Sequence, residues 1–248
     1  MTLLMILLAT LVGGVLSVLL IASLSLTWLL RFADRIMAYP VGVLLTLAFT
    51  ELLPEAMEMG LEPDLAGQWI LVGVVVFFLL EKAALWRHAH GHEGHPHRPQ
   101  VPIIVLGDGL HNFVDGVLIA AAFLVDPVLG WTTAIAVFAH ELPQEIGDFM
   151  VLLDAGVSKA RALALNALSG GAMVLGGLVG YFALDGVQSA VPYVLVVAAA
   201  SFIYIAVADL VPGLHRHCRL RDATSQLALM GLGVASVHFA GRFVHHAH

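Results

Sequence analysis

Apolar stretches of the length that carries a helix across a bilayer follow one another along nearly the whole chain. On a measure of about 20 mostly apolar residues per span, the pattern predicts eight helices, near residues 3–30, 36–57, 69–86, 101–125, 129–153, 160–183, 189–212 and 225–244. The third is short and runs into Glu81 and Lys82. Connections are brief, and only 87–100 reads as a free loop, which leaves no room for a separate soluble domain. The expected fold is all-α: a polytopic membrane protein with one eight-helix transmembrane domain over residues 1–248.

Composition agrees. The chain is 60% hydrophobic and 12% charged, with mean hydropathy +0.93. A water-exposed domain carries about 25% charged residues, so this one has too little polar surface to coat itself. The net charge of -7 says little, because acidic residues inside the membrane are counted in it. Cys218 is the single cysteine, which excludes an intrachain disulfide. The start, MTLLMILLATLVGG, lacks the basic region of a cleaved signal peptide, so the first segment reads as a retained helix. No nucleic-acid partner is expected, and the short loops favour a bacterial inner (plasma) membrane.

Lysines and arginines set the orientation. Arg31 and Arg35 lie in the first connection, and Lys82, Arg87 and Arg98 at the third. Lys159 and Arg161 mark the fifth, and Arg216, Arg219 and Arg221 the seventh. The alternate connections carry Glu62, Asp64, Asp126 and Asp185 but no basic residue, and only Arg242 falls on that side. The basic connections therefore face the cytoplasm and both termini are extracytoplasmic.

Two neighbouring segments break the apolar pattern: VLGDGLHNFVDGVLIAAAF and FAHELPQEIGDFMVLL. A charged side chain at bilayer depth costs about 2.5–3.5 kcal/mol on insertion scales, so such a cluster needs compensation. Residues three and four apart share a helix face. Asp108, His111 and Asp115 form one stripe with Asn112 at its edge, and His140, Gln144 and Asp148 form another, flanked by Glu141 and Glu145. A short turn at Asp126 and Pro127 makes the two helices antiparallel neighbours, so the stripes can face each other. Helix-to-helix hydrogen bonding would account for a lone His or Asn. A set this dense points to an ion pathway, and mixed imidazole and carboxylate groups suit one or two divalent transition-metal ions. Pro143 removes a backbone bond inside the second stripe, a device tolerated where backbone lines a cavity; Pro102 stands at an ordinary helix start.

At these residues the chain resembles the ZIP (Zrt/Irt-like) family of divalent-metal transporters. HNFVDGVLIAAAF and HELPQEIGDFMVLL are similar to its HNxxDG and HExPxExGDF signatures, and the likeness extends through ELLPEA at 51–56, NALSGGAMVLGGLVGYF at 166–182 and FIYIAVADLVPGLH at 202–215. The resemblance implies eight helices, outward termini, a His-rich cytoplasmic loop at 87–100 and a homodimer. It makes His111, Asn112, Asp115, His140, Glu141 and Gln144 the transport-site positions. Gln144 stands where many relatives carry His or Glu, and Met173 where some bacterial relatives place a glutamate at a second metal. Glu51, where relatives often have His, is assigned to an entry or exit path near Glu55.

Other polar features are secondary. The tract RHAHGHEGHPH holds His88, His90, His92, His95 and His97, either a metal-capturing loop or a flexible one. His215 and His217, with Arg216 and Arg219, read as an interfacial collar, and the terminal HHAH as a tail. Gly176 and Gly180 form a GxxxG, read as internal helix packing before a dimer seam. Asp209, with Pro212, is an auxiliary pathway candidate.

The expected function is therefore transport of a divalent cation (zinc, iron, manganese or similar) toward the cytoplasm, the ion being substrate and no cofactor being required. An intramembrane metalloenzyme or a metal sensor is the alternative. His140 and Glu141 begin like HExxH, but Gln144 replaces its second histidine. No repeated Glu-x-x-His pair suggests a di-iron enzyme.

Overall fold

A computed structural model describes residues 1–23, 37–89, 101–215 and 220–245, and all the regular structure among them is helical. The helices are α1 (residues 2–23), α2 (Ala38–Glu58), α3 (Pro63–Ala89), α4 (Val101–Val125), α5 (Pro127–Asp154), α6 (Lys159–Asp185), α7 (Gln188–Leu214) and α8 (Leu220–His245). Each expected apolar stretch is thus met by a helix, with ends moved by up to several residues. Parts of the first, third and seventh connections, which hold Arg31, Arg35, Arg98, Arg216 and Arg219, lie outside the described residues, as does His217.

Among the described residues, five stretches are long and apolar enough to cross a membrane: Thr2–Leu20, Ala38–Glu58, Ile104–Val125, Lys159–Leu184 and Gln188–Leu214. The apolar part of α3, Pro63–Leu79, is shorter. α5 spans 28 residues but carries Glu141, Glu145 and Asp148 along its length. Leucine, valine and phenylalanine side chains stand exposed on the outer faces, among them Leu8, Val75, Phe78, Leu110, Leu168 and Phe182. Asp108, Asn112, Asp115, His140, Glu141, Glu145, Asn166 and Ser169 are buried. Large exposed apolar area around a buried cluster of charged and amide groups is unlike a water-soluble domain.

Among the described residues, three helices widen into a π turn, at Val12–Leu16, Ala48–Leu52 and Ile205–Leu210. The second and third each precede a proline, Pro54 and Pro212. A proline ring crowds the carbonyl four residues back and cannot bond to it, here Thr50 and Ala208, and both lie inside the widened turns. α5 carries Pro143 without losing its helical assignment.

Asp126 makes the hairpin of α4 and α5. Its extended backbone ends α4, and its Oδ1 accepts from the Val128 and Leu129 amides at 2.8 and 3.3 Å. Pro127 then supplies a first helical residue with no amide to satisfy. Asp126→Ala should cost about 1 kcal/mol, read as a lowered unfolding midpoint in detergent.

α6 lies behind this hairpin and packs against α4 more extensively than any other pair of helices meets. A Cβ on Gly116 would strike the Met173 carbonyl, and one on Gly176 the Phe113 carbonyl. Gly14 of α1 and Gly170 of α6 meet in the same way. The GxxxG of α6 is therefore an internal seam against α4. On the far side of the hairpin, α2 contacts α5 and pairs with α8, where the Tyr39 hydroxyl and Ser236 lie 3.2 Å apart.

Candidate metal centre

Helical spacing puts His111 and Asp115 one turn apart on α4, and the hairpin brings them against His140 and Glu141 of α5. His140 Nε2 lies 3.1 Å from Asp115 Oδ2, 3.4 Å from His111 Nε2 and 3.6 Å from Glu141 Oε1. His111 Nε2 is 3.5 Å from both Asp115 Oδ2 and Glu141 Oε1. Four ligand atoms, one from each residue, fall within 4.8 Å of one another. Asp115 and Glu141 are fully buried and His140 nearly so, whereas His111 keeps 23% of its side-chain surface open.

The hydrogen bonding shows what these atoms want. His140 Nδ1 faces the Ala136 carbonyl at 3.1 Å. A carbonyl can only accept, so Nδ1–H donates, and in the neutral ring Nε2 keeps a bare lone pair. That lone pair faces a carboxylate oxygen and a second imidazole nitrogen. Either a proton on His111 Nε2 or a cation between them relieves this crowding of acceptors, and the backbone bond on the far nitrogen is the support that metal-binding histidines use. Both Glu141 oxygens and Asp115 Oδ1 are buried with no hydrogen-bond partner. Phe202 of α7 closes one side, its ring centroid 6.1 Å from that of His140.

A second convergence joins Asp108, Glu141 and Glu145, with one oxygen of each within 4.8 Å of the others. Asn112 and Gln144, expected beside the ion, both turn their amide nitrogens to Asp108: Asn112 Nδ2 donates to Asp108 Oδ1 at 2.9 Å, and Gln144 Nε2 reaches it at 3.5 Å. Asn112 Oδ1 is thereby left buried and without a partner, in the state a neutral oxygen ligand would have.

Two contributors come from α6 and were absent from the sequence-derived set. The Ser169 hydroxyl donates to Asp108 Oδ2, and Asn166 Nδ2 donates to the Glu145 main-chain oxygen at 3.0 Å. Their three-residue spacing on an otherwise apolar helix was the available signal. Met173, aligned with the second-metal position of some relatives, is fully buried, and its sulfur borders Gly13 of α1.

Asp148, Glu51 and Asp209 belong to neither convergence. Asp148 is half-buried, one turn beyond Glu145. Glu51 is half-buried in the π turn of α2, and Asp209 is exposed in that of α7. His88 belongs to the last turn of α3, with its side chain outside the described set, and His90, His92, His95 and His97 lie outside the described residues altogether.

Comparison with known proteins points the same way. A family profile described as "ZIP Zinc transporter" matches residues 86–240, well over half of the chain. "Zinc transporter foi" of Drosophila melanogaster is 44% identical over 110 residues, which covers 44% of this chain and 15% of that protein. Human "Zinc transporter ZIP6" is 43% identical over 110 residues, with the same two coverages. Human "Zinc transporter ZIP5" is 40% identical over 149 residues, 58% of this chain and 27% of its own length. The matched part of the chain thus corresponds to well under a third of each relative.

Proposed function

The chain belongs to the ZIP zinc transporter family, and from that membership we propose that it carries divalent transition-metal cations across a membrane toward the cytoplasm, through the site between α4 and α5. The observation that carries this reading is the four-residue convergence of His111, Asp115, His140 and Glu141, with partnerless carboxylate oxygens in a buried setting. Two imidazole nitrogens and two carboxylates form a mixed set suited to Zn²⁺, Fe²⁺ or Mn²⁺. Zn²⁺ is placed first because the relatives are named zinc transporters.

In this reading His111 and His140 give nitrogen ligands, Asp115 and Glu141 cancel the charge, and Asn112 and Gln144 offer neutral amide oxygens. The ion trades its hydration shell for these groups and leaves when the helices open the site to the other face. All eight helices span the bilayer with both termini outside, and the working unit is a homodimer. The short connections speak for a bacterial inner membrane; the relatives named above are animal proteins and lend that placement no support. The ion is the substrate, and transport rather than catalysis is the activity.

The test is metal influx into proteoliposomes holding the purified chain, with a fluorescent reporter or radioisotope and Zn²⁺ and Fe²⁺ run separately. Saturable influx above that of protein-free vesicles, absent from the H140A/E141A double variant, is the expected result. Metal binding without flux in correctly inserted protein would remove the transporter reading.

A further inference from the structure

We propose that a groove between α4 and α6 seats one anionic phospholipid, with its acyl chain lying along the groove and its phosphate held at Arg161. The groove encloses about 610 Å³. Val105, Leu106 and Leu110 line it from α4, and Leu165 and Leu168 from α6. Leu106, Leu110 and Leu168 are more than half exposed, so the groove opens outward. Among the described residues no other helix lines it. The inference rests on the chain lying in a bilayer and is independent of the transport reading.

Charge gives the first reason. Among the described lining residues Arg161 is the only charged one, and it stands at the end of the groove that Val101 and Pro102 form at the start of α4. Arg161 and the neighbouring Lys159 are exposed, and among the described residues neither is ion-paired. Ser158 makes no side-chain cap, so the open amides at the start of α6 add to the positive field there. A guanidinium meets a phosphate through two parallel N–H bonds. A free anion would have no use for the groove, and an apolar ligand none for the cations; a phospholipid uses both. The second reason is length. From Val101 to Phe113 α4 rises about 18 Å, against about 15 Å for half the hydrocarbon thickness of a bilayer. A lipid with its phosphate at Arg161 therefore ends near the midplane, where Phe113 and Ala172 close the groove.

A seated lipid touches the polar cluster from behind. The floor of the groove includes Gly109 and Ser169, and the Ser169 hydroxyl donates to Asp108. The acyl chain thus packs over the seam between α4 and α6 at the level of that bond. It bridges the two helices where their own side chains leave a gap, and so stabilises the pair.

The experiment titrates the delipidated full chain, in mild detergent, with phosphatidylglycerol or with phosphatidylcholine carrying the same acyl chains. Native mass spectrometry counts bound lipid, and unfolding midpoints are read alongside. One phosphatidylglycerol per chain should be retained and should raise the midpoint. Phosphatidylcholine, whose headgroup carries its own cation, should bind about five-fold more weakly, the effect of one basic residue on an anionic lipid. R161Q should bring the two lipids to equal affinity, and R161K should restore most of the preference. A172F, which fills the inner end of the groove, should weaken both lipids; should it not fold, the smaller A172L carries that arm. Equal retention of both lipids by the wild type, or a preference that R161Q leaves unchanged, would overturn the proposal. So would lipid binding indifferent to the groove-filling variants. An equal midpoint rise with glycerol phosphate, which has the phosphate but no chains, would make this a site for free anions and overturn the lipid seat. A lipid-free dimer that A172F dissociates would give the groove to a second copy of the chain, with the same consequence.

Discussion

His140→Ala is expected to bring Zn²⁺ influx down to the level of protein-free vesicles. Nε2 of this residue is the hub of the convergence, 3.1 Å from Asp115, 3.4 Å from His111 and 3.6 Å from Glu141. Its ring is the best fixed of the four candidate ligands, held by the Nδ1–H bond to Ala136 and edged by Phe202. Truncation removes a nitrogen ligand and leaves Asp115 and Glu141 facing each other across a gap. Losing only a supporting partner of a metal ligand costs 10–100-fold, so losing the ligand should cost at least about 100-fold in apparent Zn²⁺ affinity. Influx titrated against Zn²⁺ concentration reads this directly. His238→Ala, an exposed histidine on α8, is the control and should match wild type. A His140→Ala protein that transports with an unaltered half-saturating concentration would place the pathway elsewhere.

The centre was legible because polar residues at three- and four-residue spacing stand out sharply in helices that are otherwise apolar. His111, Asp115, His140 and Glu141 announced both their face and their partner helix, since the Asp126–Pro127 turn allowed only an antiparallel pair. The all-helical fold was legible for the same reason, from stretch length alone. What stayed hidden depends on backbone meeting backbone. The start of α3 lies at Pro63, earlier than expected near 69, because its first turn is polar and hydropathy does not count it, although Pro63 and Asp64 are ordinary helix-starting residues. The π turns follow from a proline only once the helix is known to continue through it. Ser169 escaped notice because a serine inside a membrane helix usually bonds to its own backbone. Ser169 does so, to Leu165 and Asn166, as well as reaching Asp108. Only the close approach of α4 and α6 reveals the second role.

That approach supplies the other large prediction: Gly176→Leu should abolish transport by destroying the site from behind, and Gly176→Ala should already damage it. A Cβ at this position collides with the Phe113 carbonyl, which is backbone and cannot swing aside. Phe113 lies between the Asn112 and Asp115 positions of α4, so relieving the clash moves the helix that carries His111 and Asp115. Their ligand atoms sit within 4.8 Å of those on α5, and an ångström of displacement is a large fraction of a coordination bond. Overpacking costs about 1–3 kcal/mol where side chains can yield, and more is expected where backbone is the obstacle. Gly171, on the same helix, meets nothing within 4 Å when given a Cβ. Gly171→Ala should therefore be neutral or slightly stabilising, by up to about 1 kcal/mol from helix propensity. Size-exclusion profiles, unfolding midpoints and Zn²⁺ influx measured on the pair separate steric cause from mere loss of a glycine. Indistinguishable behaviour of Gly176→Ala and Gly171→Ala would mean that the seam between α4 and α6 does not position the site.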